Sequence, residues 1–166
     1  MTVKRVLRIA AIILAAAALL AAAGAYFGAT MGLFAGKRPT DLGFGSDGRF
    51  RAADSWRPNW VSSTVAPGDK HFVAPFEIRG DRAKAWAALH AAIEATPGAT
   101  LGRRDPGYLQ VEFKTPKMGF VDDAEFQMDP DGQRIHVRSA ARLGIRDFDV
   151  NRKRVESLRA AVAAAS

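Results

Sequence analysis

The chain has 166 residues, which is enough for one ordinary domain or for a small domain with an appendage. It is 48% hydrophobic and 25% charged, with a formal net charge of +7, and this composition excludes a disordered or collagen-like protein. Because the chain contains no cysteine, disulfide bonds, thiolate catalysis, cysteine-ligated zinc and iron–sulfur clusters are all excluded.

The first predicted element is one N-terminal transmembrane helix. Three basic residues precede a run without a single charged side chain, residues 9–36. Spanning a bilayer core takes about 20 apolar residues, whereas the apolar core of a secretory signal has about 7–15. The length therefore favours an uncleaved signal anchor in residues 1–36, in contact with the lipid bilayer through residues 9–36. A signal cleaved at Ala23-Gly24-Ala25 is the main alternative, and a buried soluble helix is disfavoured because no periodic polar face is present.

Charge at the two ends of this helix predicts the topology. A short basic N-terminal flank normally stays in the cytoplasm, so the chain after the helix should be exported. In a bacterial cell the protein would then be a single-pass protein of the inner membrane, with its C-terminal domain in the periplasm. Lys37 and Arg38 follow the helix, so the charge difference between the two flanks is small.

Residues 37–58 are predicted to be an irregular spacer, because several prolines and glycines interrupt them. The segment contains a G-x-G-x-x-G pattern at residues 43–48. A dinucleotide-binding fingerprint requires a strand before this pattern and a helix after it. Neither is predicted here, so we interpret the segment as a flexible linker that lifts the following domain from the membrane.

Residues 59–166 are predicted to form the folded domain. An alternating strand over residues 71–78 is followed by an amphipathic helix, with Asp81 as its N-cap and Pro97-Gly98 at its end. Four further strands and a last helix are expected at residues 100–104, 108–115, 120–129, 134–143 and 149–164. This order indicates an α+β fold, an antiparallel sheet with two helices packed on one face.

The register of one hairpin can be predicted. A four-residue loop at residues 130–133 places Phe126 opposite Val137 on the buried side of the sheet, and Glu125 opposite Arg138 on the other side. A three-residue loop would instead mix apolar and charged side chains on each face. We therefore predict the four-residue loop.

The other face of the sheet then carries the densest polar group in the chain. Its members are Glu112, Asp123, Glu125, Gln127, His136, Arg138 and Arg142. Three interpretations are open. The face is a solvated surface with cross-strand ion pairs, a surface on which Arg138 and Arg142 bind an anionic group, or the site of a hydrolase with Asp123 or Glu125 as base.

Motifs of known chemistry do not accompany this polar group. The sequence has no HExxH, GxSxG or Walker motif, its three histidines lack metal-ligand spacing, and the turn that begins at Asp129 lacks the final acid of a calcium loop. We therefore predict no catalytic residue, no metal and no cofactor. Nucleic-acid binding is disfavoured, because the domain should be exported and its basic residues are interleaved with acids.

Four ordered motifs resemble the signature segments of a known family. They read NWVSS from Asn59, MGFVDDAEF from Met118, IHVRSAARLG from Ile135 and DFDVNRKRVE from Asp147. Over about residues 59–160 the chain is similar to the domain-of-unknown-function 1499 family. The resemblance implies a bacterial envelope or plastid protein, often behind a membrane anchor, in a family without an assigned activity. It also implies a set of typical polar positions, Asn59, Ser62, Ser63, Asp122, Asp123, Glu125, Arg138, Ser139, Arg142, Asp147, Asn151, Arg152 and Arg154.

Two residues depart from the family pattern. Position 60 is often cysteine in similar sequences and is Trp60 here, which argues against a thiol-based role in this chain. Position 149 is often glycine and is Asp149 here.

The acids and arginines of these motifs predict either a polar network that locks the last helix to the sheet or a pocket between them. The expected binding residues are Asp122, Asp123, Glu125, His136, Arg138, Arg142, Asn151 and Arg152. We expect a membrane-anchored protein whose exported domain binds a small ligand, a lipid (an anionic lipid is one candidate) or a protein partner. The alternatives are an envelope hydrolase that uses Asp123 or Glu125 and a purely structural envelope protein.

Overall fold

The computed structural model describes residues 2–51, 53 and 56–165. Its elements in chain order are α1 (Val3–Thr30), β1 (Trp60–Ser62), β2 (Phe76–Glu77), α2 (Arg82–Glu94), β3 (Ala99–Asp105), β4 (Tyr108–Lys114), β5 (Val121–Met128), β6 (Arg134–Ala141) and α3 (Val150–Ala165). In this part of the chain, the strands form one antiparallel sheet in the order β1-β6-β5-β4-β3, and β2 also pairs with β6. The predicted α+β fold is confirmed.

The hairpin of β5 and β6 has the predicted register. Glu125 lies opposite Arg138, and Phe126 lies opposite Val137. A backbone hydrogen bond of 2.9 Å closes the base of the four-residue loop. Phe126 and Val137 are fully buried, so a slip of one residue would move both side chains to the polar face.

The core lies between the sheet and the two helices that follow it in the chain. α2 begins where predicted, because the Asp81 carboxylate accepts hydrogen bonds from the backbone N–H groups of Ala83 and Lys84, at 2.7 and 3.1 Å. α2 and α3 contact each other and share one apolar cluster with the sheet. The cluster includes Ala85, Leu89, Ile93, Val155, Leu158 and Val162 from the helices, with Leu109, Val111, Phe126, Ile135 and Val137 from the sheet. Because full burial of a large apolar side chain contributes about 1.5–3 kcal/mol, this cluster holds both helices against the sheet.

The start of the domain differs from the prediction. The strand expected over residues 71–78 is reduced to the two residues of β2, and within the expected strand Val73 is buried while Phe72 is only half-buried. Pro75 accounts for the short strand, because it lacks the N–H group that a longer ladder would need. Sequence analysis does not predict β1 at all, since three residues are too few to display an alternating pattern.

Residues 37–51, which we call the cover segment, pack across the polar face of the sheet. The Gly43 N–H donates a hydrogen bond of 2.6 Å to the Glu125 carboxylate, and Arg38 Nη2 donates one of 2.6 Å to Gln110 Oε1. Phe50 of this segment is buried. This face of the sheet is therefore covered, and the interpretation of it as a solvated surface is wrong. Hydrophobic periodicity does not reveal such packing, because the cover segment forms no regular helix or strand.

The N-terminal helix α1 carries three basic residues in its first turns and is uncharged from Ile9 to its end. Its most apolar window has a mean hydropathy of 2.5, and none of that window is buried against the rest of the protein. At 1.5 Å per residue its 28 residues extend about 42 Å, more than the roughly 30 Å of a bilayer core. Among the described residues, α1 is the one helix with the length and composition to cross a membrane. These properties fit a single-pass membrane anchor and also fit a signal sequence.

Candidate functional site

The sheet divides the predicted site residues between its two faces. Successive residues of a strand point to opposite sides, so Asp122 faces Arg154 of α3, whereas Asp123 faces the cover segment. Glu125, His136, Arg138 and Arg142 share the side of Asp123, and Asn151 shares the side of Asp122. The predicted constellation therefore consists of two separate groups.

On the side of the cover segment, Arg142 holds two carboxylates. Its Nε and Nη2 atoms donate hydrogen bonds to the two oxygens of Asp123, both at 2.8 Å, and Nη2 lies 2.7 Å from Glu112 Oε1. The side chains of Asp123 and Arg142 are 1% and 6% exposed. The hydrogen bonds from Arg142 to Asp123 raise the pKa of this arginine above its usual range. Arg142 therefore remains charged, and both oxygens of Asp123 are occupied.

Glu125 is enclosed by three hydrogen-bond donors. Its Oε1 atom accepts from the Tyr108 hydroxyl at 2.8 Å and from the Gly43 N–H, and its Oε2 atom accepts from Arg138 Nη1 at 3.0 Å. Burial raises the pKa of Glu125, against the smaller lowering effect of the Arg138 charge. Burial and the charge of Glu125 also raise the pKa of Tyr108. These bonds join β4, β5, β6 and the cover segment at one buried carboxylate.

A cavity of about 240 Å³ lies beside these ion pairs, and we call it the arginine cavity. Its polar lining residues are Asp41, Arg57, Asn59, Asp123, Arg138 and Arg142. Three guanidinium groups thus face two carboxylates, and the Nε atom of the buried Arg138 has no hydrogen-bond partner among the described residues. Guanidinium groups bind carboxylates and phosphates through paired hydrogen bonds. The arginine cavity is therefore suited to a small anion.

Side chains that could bind a metal do not cluster among the described residues as the arginines do. Within residues 2–51, 53 and 56–165, no group of three or more histidine, aspartate or glutamate side chains is placed to hold a metal ion. The carboxylates of the polar face are instead engaged by arginines.

A second polar network joins α3 to the opposite face of the sheet. Arg154 Nη2 lies 2.7 Å from the Asp122 carboxylate. Asn151 accepts a short hydrogen bond from the Ser139 hydroxyl and donates one of 3.2 Å to the backbone oxygen of Asn59. Burial raises the pKa of Asp122, against the lowering effect of Arg154. This group has the geometry of a structural lock between the last helix and the sheet.

His136 and Arg152 take part neither in the arginine cavity nor in the network between α3 and the sheet. His136 lies on the polar face, where Nε2 is 2.9 Å from Asp129 and Nδ1 is 3.2 Å from the Ser63 hydroxyl. Arg152 donates hydrogen bonds of 2.8 and 2.9 Å to two backbone carbonyl oxygens in the loop before β2. Each side chain stabilises a neighbouring segment, and neither lines the arginine cavity.

The predicted site residues omit Asp41, Arg57 and Tyr108. The two-residue period of β4 places Tyr108 on the same face as Glu112, so strand alternation could have identified it. Asp41 and Arg57 come from irregular stretches of chain, where no period indicates which side chains turn toward the sheet.

Comparison with known proteins identifies the family. No curated protein and no solved structure matches the chain at a significant level. The sequence model described as "Protein of unknown function (DUF1499)" matches residues 52–162, about two thirds of the chain. The matched region runs from just before β1 into the last turn of α3 and contains the four motifs that suggested the resemblance. The chain therefore belongs to the DUF1499 family.

Proposed function

We propose that the protein is a single-pass membrane protein whose domain binds a small anionic ligand in the arginine cavity. The ligand class is a small molecule that bears a carboxylate or a phosphate. The observation that carries the proposal is the set of three guanidinium groups that line this cavity, together with the Nε atom of Arg138, which has no hydrogen-bond partner among the described residues. Arg142 and Arg138 are already oriented by Asp123 and Glu125, so little side-chain entropy would be lost when a ligand binds.

Arg57 is the most informative residue of the cavity for a test. It is partly exposed, and its guanidinium group lies 4.9 Å from the centre of the Trp56 ring. Substitution of Arg138 or Arg142 would leave a buried carboxylate without its counter-charge, whereas substitution of Arg57 leaves those two buried ion pairs intact.

The same geometry argues against Asp123 or Glu125 as the general base of a hydrolase. A base must come within hydrogen-bond reach of the proton that it removes. Both carboxylates are 1% exposed, and their oxygens already accept hydrogen bonds from protein donors. A purely structural envelope protein remains the competing hypothesis.

We further propose that α1 is an uncleaved anchor in a bacterial inner membrane and that the domain lies in the periplasm. The basic residues before α1 and its uncharged length support this topology. A reporter fused after residue 166 that is active only in the periplasm should give signal. Activity of a reporter that works only in the cytoplasm would overturn the orientation.

Ligand binding can be tested on the full chain in detergent. Inorganic phosphate and citrate serve as probes, and the thermal unfolding temperature is measured as their concentration rises. We expect a saturable increase for the unmodified chain and a clear loss of that increase in Arg57→Gln. Arg103→Gln is the matched control, because Arg103 is exposed and pairs with Asp105 outside the arginine cavity.

One outcome of this titration would contradict ligand binding. General salt effects can stabilise any protein, and such an effect would be the same in both variants. Equal responses of Arg57→Gln and Arg103→Gln would therefore reject the cavity. Native mass spectrometry of protein purified from its own membranes supplies an independent readout, since a bound small molecule would contradict the purely structural hypothesis.

A further inference from the structure

We propose that an apolar rim of the domain inserts into the same bilayer leaflet from which the anchor emerges. The inference rests on the membrane anchoring proposed above and adds a second lipid contact, made by the folded domain itself. The apolar rim consists of Met118 and Phe120 between β4 and β5, with Leu143, Ile145 and Phe148 between β6 and α3.

Exposed apolar side chains are concentrated at this rim. In the described part of the chain beyond α1 and the turn after it, the large exposed apolar residues are the five rim residues, Val150 beside them, and Trp56. The exposed fraction reaches 83% for Phe148 and 59% for Ile145. A soluble protein rarely keeps such a group in water, and a contiguous apolar surface marks contact with a partner or a membrane.

The end of α1 sets the position of the rim relative to the bilayer. About 20 residues cross the hydrocarbon core, so a span that begins at Ile9 ends near residue 28. The next residue, Ala29, touches the loop that carries Met118 and Phe120, because a β-carbon on Gly119 would lie 3.3 Å from the Ala29 carbonyl oxygen. The rim loop is therefore level with the boundary of the hydrocarbon core.

Two further contacts hold the rim beside the anchor. The ring of Phe34, in the turn after α1, packs on Phe120 with 5.4 Å between the ring centres. Gly36 lies against Leu143, where an added β-carbon would approach Cγ to 2.9 Å. Both rim loops therefore contact the segment that leaves the membrane, and the partner of this surface is the bilayer that the anchor crosses.

The backbone directs Phe148 away from the domain. Phe148 and Asp149 have φ angles of 53° and 62°, and a bulky side chain is rare in this left-handed region. The Asp147 carboxylate holds the loop in this shape by accepting hydrogen bonds from the N–H groups of Asp149 and Asn151. A strained backbone that exposes an aromatic ring indicates that the ring has a role outside the core.

The two loops form one surface. Phe120, Leu143 and Phe148 line the same cavity, of about 290 Å³. Two exposed basic residues, Lys117 and Arg146, flank the rim, and the exposed carboxylate of Asp149 carries the opposite charge. Lysine and arginine beside an apolar surface favour anionic headgroups, while the apolar side chains reach the boundary of the acyl chains.

The absence of cysteine makes a direct test simple. Single cysteines are introduced into the full chain and labelled with an environment-sensitive nitrobenzoxadiazole fluorophore, and the protein is placed in nanodiscs of phosphatidylcholine and phosphatidylglycerol. The rim variants are Phe148→Cys and Ile145→Cys. Both side chains are exposed, so these substitutions leave the core intact. Leu14→Cys reports on the anchor. Asp131→Cys is the control at the far end of the strands, about 26 Å from the rim.

The readout is quenching by lipids that carry a nitroxide on the acyl chain. We expect labels at Phe148 and Ile145 to lose at least half of their emission and to shift to shorter wavelength, as the label at Leu14 does. The label at Asp131 should stay bright. Rim labels that behave like Asp131 while Leu14 is quenched would overturn rim insertion and leave the anchor in place. Failure of Leu14 to respond would reject membrane anchoring and the rim with it.

Discussion

The ion pair between Asp123 and Arg142 gives the strongest test of the polar face. Arg142→Gln removes a guanidinium group that donates two hydrogen bonds of 2.8 Å to a carboxylate that is 1% exposed. Loss of one partner from a buried pair costs about 3–5 kcal/mol, because the remaining charge has neither water nor a counter-ion. The free energy of unfolding of a domain is about 5–15 kcal/mol, so Arg142→Gln should remove a large part of it.

Urea unfolding of the full chain in detergent measures this loss, with the fluorescence of the buried Trp60 as the signal. Arg134→Gln is the matched control, since Arg134 and its partner Glu77 are each more than half exposed and such pairs contribute about 0–1 kcal/mol. The double variant Asp123→Asn with Arg142→Gln should be more stable than Arg142→Gln alone, because position 123 then holds no buried charge that lacks a counter-ion. Equal midpoints for Arg142→Gln and Arg134→Gln would refute the argument.

Three further predictions concern single residues. Burial raises the pKa of Glu125 in the folded state above its ordinary value of 4.5. At pH values between the two pKa values the folded domain therefore binds more protons than the unfolded chain, and the free energy of unfolding should fall as pH rises through this range. Glu125→Gln should reduce that fall, and identical slopes of urea midpoint against pH in both proteins would contradict the assignment. Gly98→Ala should destabilise the domain by about 2 kcal/mol or more, because its φ is 79° and a β-carbon would overlap the Lys114 carbonyl oxygen. A thermal unfolding temperature equal to that of the unmodified chain would be inconsistent with this contact. Asp149→Gly should stabilise the domain by up to about 1 kcal/mol, because glycine adopts the left-handed backbone without strain. Calorimetry would detect the gain, and a loss of stability would show that the aspartate side chain is needed.

The sheet and its register follow from local sequence signals. Asp81, Pro97 and Gly98 mark the ends of α2, and the alternation of apolar residues in β5 and β6 fixes which residue faces which. These signals act between residues close in sequence, so one chain suffices to recognise them. The same alternation places Asp122 and Asp123 on opposite faces of the sheet. A binding site can therefore use the polar residues of only one of the two faces.

Contacts across long sequence separations have no such signal. The hydrogen bond from Gly43 to Glu125 joins residues 82 positions apart, through a segment that has neither helical nor strand periodicity. The arginine cavity depends on this packing, because Asp41 and Arg57 reach it from irregular chain. Sequence therefore predicts the sheet acids and arginines of the site but not Asp41 and Arg57, which form part of the cavity wall.

The cover segment also determines where the domain should be separated from its anchor. Family similarity begins at residue 52, and a soluble fragment cut there would lack Gly43 and Arg38. Glu125 would lose its backbone donor, and water would reach a carboxylate that the intact protein keeps dry. A fragment that starts at residue 37 retains this packing and is the better choice for crystallisation or NMR. If the shorter fragment is unstable, the cause would be the missing part of the fold and not a low stability of the complete domain.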